Sequence, residues 1–98
     1  MGWNACRKLR TSIEDAARVL AIEILCAAQA LELRREGSAP VSGEGWGTPL
    51  RPSPETEAVI ARLRTEVAAL PTDRFLAPDL ATAERLVTSG ALLPDWIN

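Results

Sequence analysis

The sequence contains no histidine and no tyrosine, and it has a single phenylalanine and a single methionine. The first two absences remove most of the chemistry that a small enzyme carries. Without histidine there is no Ser/His/Asp or Cys/His nucleophile pair, no imidazole general base and no His-containing metal site. A dominant charge is missing too. Eleven Lys and Arg stand against thirteen Asp and Glu, for a net charge of −2, which gives no reason to expect nucleic acid or an anionic membrane as partner. The one basic cluster, Arg7, Lys8 and Arg10, reads as a solvated helical face.

Long apolar runs are also lacking. The basic first ten residues followed by an apolar segment resemble a signal peptide, but Glu14, Asp15, Arg18 and Glu23 interrupt it. No apolar stretch reaches the roughly 18 residues of a membrane span. Met1-Gly2 fails as a myristoylation signal because Cys6 stands where Ser or Thr is required. The expectation is a cytoplasmic protein.

Cys6 and Cys26 are the only two cysteines, twenty positions apart in what reads as one helix. At about 1.5 Å per residue their Cα atoms lie roughly 30 Å apart, too far for a disulfide. Both are expected as free thiols, in keeping with a reducing compartment. Cys26, among Leu25, Ala27 and Ala28, is expected to be buried and inert.

What is present is helix. Residues 4 to 36 hold no Pro or Gly, and Ala, Leu, Arg and Glu dominate until Gly37 supplies a stop. Leu9, Ile13, Ala16, Ala17 and Leu20 follow helical spacing. From Ala16 to Leu33, 14 of 18 residues are apolar, so apolar side chains encircle the helix and burial on all sides is expected. Its alanines would let neighbouring helices approach closely. Glu23 and Gln29 lie within this stretch. Buried polar groups must find partners, so both are expected to bond to partner helices rather than to act in acid-base chemistry.

Residues 37–52 form a Gly- and Pro-rich loop in which Trp46 is expected to pack on a neighbouring surface. Ser53 then reads as the N-cap of a second helix, with Pro54 at its first position and Glu55 in its first turn. Val59, Ile60, Leu63, Val67 and Leu70 form its apolar stripe, and Pro71 is expected to end it. A third helix is predicted from about Pro78, with Asp79 near its positive end and Gly90 as its stop. Leu80, Ala83, Leu86 and Val87 make its buried face. The tail, with Leu92, Leu93, Trp96 and Ile97, is expected to pack down. The fold class is therefore all-α: a long core helix (1–36), a loop (37–52) and a two-helix segment (53–98), together one partial domain. Two short amphipathic helices cannot cover a helix about 50 Å long that is apolar all round, so partner helices are required.

Specific strings then carry a resemblance. Met1-Gly2-Trp3, Arg7-Lys8-Leu9-Arg10, the run from Val19 to Leu25 and the run from Ala27 to Arg34 are similar to the last long core helix of histidine ammonia-lyases. The run from Asp73 to Leu80, followed by Ser89-Gly90-Ala91-Leu92, is similar to the closing helices of the same family. Together these cover almost the whole chain except the loop at 37–52, which is longer and richer in Gly than the family pattern. The resemblance implies a C-terminal segment of a homotetrameric, helical-bundle aromatic amino acid ammonia-lyase. Its expected partners are the rest of that polypeptide and the other subunits.

The family converts histidine to urocanate with a methylidene-imidazolone group made from an internal Ala-Ser-Gly. The resemblance places that triad, the catalytic tyrosines and the substrate-binding residues outside this chain, with the acidic Asn-Gln-Glu-Asp-His motif expected just before Met1. No catalytic, cofactor-binding or metal-binding residue is therefore expected within these residues. Thr88-Ser89-Gly90 looks like a variant of the ring-forming triad, but it is read as a helix stop. Two other readings stay open at this point. One is a segment of a tyrosine or phenylalanine lyase or an aminomutase; the other is a stand-alone helical interaction module without enzymatic activity.

Overall fold

The computed structural model describes residues 2–36 and 51–97. Three helices make up the order α1 (Gly2–Glu36), α2 (Pro54–Arg64) and α3 (Ala77–Ser89), and no strand occurs among the described residues. The loop expected to carry Trp46 lies outside the described residues, apart from its last two positions.

The helix ends follow their local chemistry. Ser53 caps α2: its hydroxyl accepts from the Thr56 amide at 3.2 Å, Pro54 opens the helix, and Glu55 and Glu57 lie in the first turn. Helix α3 carries Pro78 at its start and Asp79 in its first turn. It closes on Gly90, which adopts φ +75° and donates its amide to the Val87 carbonyl at 3.3 Å. A left-handed residue at this position is where glycine is cheapest.

Helix α1 has 35 residues, which makes it about 52 Å long at 1.5 Å per residue. The α2–α3 pair lies against one sector of it. Ala28 of α1 joins Leu63, Val67, Leu86 and Leu92 in the buried core, with Ile24, Leu25, Val59, Ile60 and Val87 packed around them. Ala17 and Ala21 on α1, and Ala83 on α3, are buried as well, so small side chains mark where the two helices run close together. Arg18 of α1 reaches Glu84 of α3 at 3.5 Å across that seam.

Three expectations change. Helix α2 stops at Arg64 rather than running to Pro71. The Glu66 and Val67 amides both turn back to the Leu63 carbonyl, which swings Val67 into the core at 1% exposure. In the tail only Leu92 packs down. Leu93, Trp96 and Ile97 are exposed, because Arg62 holds the backbone there by its bonds to the Leu92 and Leu93 carbonyls. Cys26 is exposed, as is Cys6, and both are free; Cys26 lies outside the buried core that α2 and α3 form on α1.

Leu63, with no exposed surface, is the pivot of the small core. Leu63→Ala should therefore cost about 2–5 kcal/mol, the range for large-to-small core changes, whereas Leu9→Ala at an exposed site should cost less than about 0.5 kcal/mol. Urea denaturation of the two variants checks this, and equal losses would mean that the core is centred elsewhere.

Candidate functional site

The connection between α2 and α3, residues 65–76, has no regular secondary structure, yet its carbonyls are taken one after another by side chains. Arg64 Nη1 donates to the Val67 and Ala68 carbonyls at 3.4 Å each. Arg74 donates to the Ala68 carbonyl at 2.7 Å and the Ala69 carbonyl at 2.8 Å. Gln29 of α1 completes the series. Its amide nitrogen donates to the Leu70 carbonyl at 3.4 Å, and its oxygen accepts the Leu70 amide at 3.1 Å. Four consecutive carbonyls are thus satisfied from α1, α2 and the connection itself, so the segment can leave the helix without stranding backbone groups.

The two arginines are anchored in turn by carboxylates. Arg64 meets Glu32 of α1 in a two-pronged pair, with Nε and Nη2 each 2.8 Å from a carboxylate oxygen. Both side chains are less than one-fifth exposed. The hydrogen bonds from Arg64 hold the Glu32 carboxyl below its ordinary range; burial opposes this, and the charges of Arg64 and Arg35 assist it. Arg74 Nε donates to Asp79 at 2.9 Å in the first turn of α3. Arg85 of α3 pairs with Glu66 on the other side of the connection. No buried side-chain polar atom among the described residues lacks a partner.

One product of this frame is an apolar groove of about 530 Å³ between α1 and the connection. Ile22, Cys26, Ala30 and Leu33 line it from α1, and Leu70, Leu76 and Leu80 line it from the other side. Gln29, Arg64, Arg74 and Asp79 form its polar rim. Beyond the groove, α1 exposes Trp3, Leu9, Ile13, Val19 and Leu20. The apolar encirclement read from the sequence is real, and α2 and α3 cover only part of it.

The polar residues singled out in the sequence take different places. Gln29 bonds to the backbone of the α2–α3 connection, not to a helix side chain, because the Leu70 peptide group has no helical partner of its own. Glu23 is exposed and meets no bonding partner among the described residues. Arg7, Lys8 and Arg10 lie on an exposed stretch of α1. Thr88-Ser89-Gly90 ends α3: Thr88 donates to the Glu84 carbonyl, Ser89 donates to the Leu86 carbonyl, and Ser89 accepts the Ala91 amide. The triplet does not fit a ring-forming loop, since its hydroxyls and backbone are committed to closing a helix. Sequence reasoning missed Glu32, Arg64 and Arg74. The spacing from Glu32 to Arg64 offers no periodic signal across an intervening loop.

Among the described residues no group of three or more His, Cys, Asp or Glu could hold a metal, and no helix is long and apolar enough to cross a membrane.

Two measurements probe the frame. Because the Glu32 pKa is lowered in the folded state, its contribution is complete above about pH 4.5 and is lost as pH falls through the depressed folded value. Glu32→Gln should lower the urea midpoint near neutral pH, and the gap from the unaltered protein should close on acidification. A gap that does not change with pH would discard the pair as its source. Separately, Gln29→Ala should speed hydrogen exchange at the Leu70 amide by roughly five- to tenfold, the worth of about one hydrogen bond, with the Val67 amide unchanged. Exchange that is equal in both proteins would show that the Gln29 bond does not hold the connection.

Residues 1–65 match the family model described as aromatic amino acid lyase. The chain is 47% identical over 94 residues to the histidine ammonia-lyase of Streptomyces griseus, covering 95% of this chain and 16% of that protein. It is 45% identical over 94 residues to the histidine ammonia-lyase of Streptomyces avermitilis and 44% identical over 93 residues to that of Symbiobacterium thermophilum, with the same coverage. No solved structure matches. The chain spans about one-sixth of the length of these relatives, 16% in each case. With identity running from the start of α1 through α3, this chain belongs to the aromatic amino acid lyase family.

Proposed function

We propose that this chain is the C-terminal structural and oligomerisation segment of a histidine ammonia-lyase, a cytoplasmic enzyme that removes ammonia from L-histidine to give urocanate. The observation that carries the reading is the exposed apolar girth of α1. Trp3, Leu9, Ile13, Val19, Leu20, Ile22 and Leu33 are all between 46% and 77% exposed. Covering each would gain on the order of 1 kcal/mol, and together they rival the roughly 5–15 kcal/mol that stabilises a whole domain. A helix of this kind belongs inside a bundle. The relatives at 44–47% identity supply the candidate bundle, since each is named a histidine ammonia-lyase and is about six times as long as the matched segment.

On this reading the chemistry lies elsewhere in the polypeptide, and the methylidene-imidazolone group is formed and held there. The residues described here contribute position. Helix α1 serves as a strut of a homotetramer core, while α2 and α3 clamp one side of it through Glu32–Arg64 and Gln29–Leu70.

A graft tests the reading. The Streptomyces griseus enzyme should lose assembly and activity when the segment matching this chain is deleted. It should recover both when this chain is inserted in its place. The 98 residues alone should form no urocanate from L-histidine. A graft that remains unassembled would count against the structural role, and urocanate from the isolated chain would refute the placement of the chemistry elsewhere.

A further inference from the structure

Residues 65–70, Thr-Glu-Val-Ala-Ala-Leu, contain neither Gly nor Pro, and alanine is the best of helix formers. Leu63, Val67 and Leu70 follow one another by steps of four and three, which puts them on one helical face. The backbone is still nearly helical where α2 ends. Thr65 has φ −65° and ψ −24°, and the Glu66 and Val67 amides bond to the Leu63 carbonyl. Pro71 is the first residue that cannot continue a helix, and it disfavours helical backbone at Leu70 before it. Local chemistry alone would therefore carry α2 to Ala69, yet it ends at Arg64.

The early end leaves backbone groups unused. The Ala68 and Ala69 amides find no acceptor among the described residues, and both residues are exposed. In a continued helix they would bond to the Arg64 and Thr65 carbonyls, and the Leu70 amide to the Glu66 carbonyl. Side-chain bonds stand in place of these three. Gln29 of α1 takes both polar atoms of the Leu70 peptide unit. Arg74, tied to Asp79 in the first turn of α3, takes the Ala68 and Ala69 carbonyls. Arg64 adds two longer bonds, at 3.4 Å each.

A hydrogen bond in water is worth only roughly two- to tenfold net, and long arginine side chains lose rotamer freedom when they are held. The two sets of bonds are thus close in worth, and the side chains of α1 and α3 decide between them. Winding has room to occur. Three residues span up to about 10 Å when extended and about 4.5 Å in a helix. Residues 71–76, which have no regular secondary structure, can take up that difference while α3 keeps its seat on α1.

We propose that residues 65–70 are a strap with two forms: fastened, as here, by Gln29 and Arg74, and wound, with α2 continued to Ala69. Ala68 and Leu70 line the groove opposite Ile22 and Cys26, so winding draws back one wall of that groove. The fasteners come from α1 and, through Asp79, from α3. The strap therefore stays fastened only while both helices are docked, and the groove wall reports that docking. The inference stands independently of the lyase reading.

Hydrogen exchange at single amides of the 98-residue chain, followed by NMR, tests it. The double variant Gln29→Leu with Arg74→Met keeps the apolar bulk of both side chains and removes the fastening bonds. Its Ala68 and Ala69 amides should exchange at least tenfold more slowly than in the unaltered chain, with the Cα shifts of residues 66–69 moving to helical values. Loss of bonds that were merely structural would instead speed exchange. Replacing Gln29 alone leaves Arg74 in place, and the two alanine amides should then stay fast. Adding Ala68→Gly to the double variant should abolish the slowing, because glycine is costly inside a helix. Ala68 and Ala69 amides that are equally fast or faster in the double variant would overturn the proposal. So would loss of protection at Leu63 and Val67, since the chain would then have lost its core where a wound form was expected.

Discussion

A helix of 35 residues with apolar side chains on every face sets the terms for everything else in this structure. Helix α2 has 11 residues and α3 has 13, so even end to end they are shorter than the helix they must cover. The region of α1 before Ala17 contributes no buried residue, and past it burial is confined to the sector holding Ala17, Ala21 and Ala28. Small residues on that sector make the clamp close. Larger ones, such as Leu9, Ile13, Ile22 and Leu33, are turned elsewhere. Ala17, Ala21 and Ala28 face the chain's own helices, with Ile24 and Leu25 packed beside them, while Leu9, Ile13, Ile22 and Leu33 stay exposed.

The clamp is directed as much by hydrogen bonding as by apolar contact. A short helix lying on a long one could slide along it with little change in buried area. Two polar contacts oppose that sliding. Glu32 and Arg64 are paired through two hydrogen bonds, a geometry with strict angular demands, and Gln29 reads both polar atoms of one peptide unit at Leu70. Both contacts join α1 to the region just around the end of α2, so they fix its axial position. Breaking the Glu32–Arg64 pair by removing one partner would leave a largely desolvated charge. This is why the pair acts as a register mark rather than as a large source of stability.

Much of this was legible in the sequence where the signal is local. Ser53 with Pro54, Asp79 near the start of α3 and Gly90 at its end act within a turn of themselves, and each sits where local chemistry requires it. The all-helical class follows from composition and spacing over tens of residues. What could not be read is what depends on distant partners. Thr65, Glu66 and Val67 can all continue a helix, and the apolar stripe through Val67 and Leu70 suggests one that does. The helix stops because Gln29, some forty positions earlier, and Arg74 offer the carbonyls of residues 68–70 other donors. The same holds for the frame itself. Glu32, Arg64 and Arg74 look like ordinary surface charges until the fold brings them together.

Cys26 shows how far the two kinds of reading can be reconciled. Its neighbours Leu25, Ala27 and Ala28 argue for burial, while the structure leaves it exposed on the groove. Both statements follow from the same physics applied to different amounts of protein. Sequence pattern registers the environment in which side chains are finally packed, because apolar surface is retained where it is covered. The described residues register only the cover that this chain supplies. Where the two disagree on α1, at Cys26, Ile22 and Leu33, the sequence pattern reads burial and the described residues leave the side chain exposed. Where they agree, at Ala21, Ala28, Leu63 and Leu86, the chain supplies its own. On α1 the exposed aliphatic residues, Leu9, Ile13 and Leu20 on one side and Ile22 and Leu33 on the other, form two flanks separated by the alanine seam.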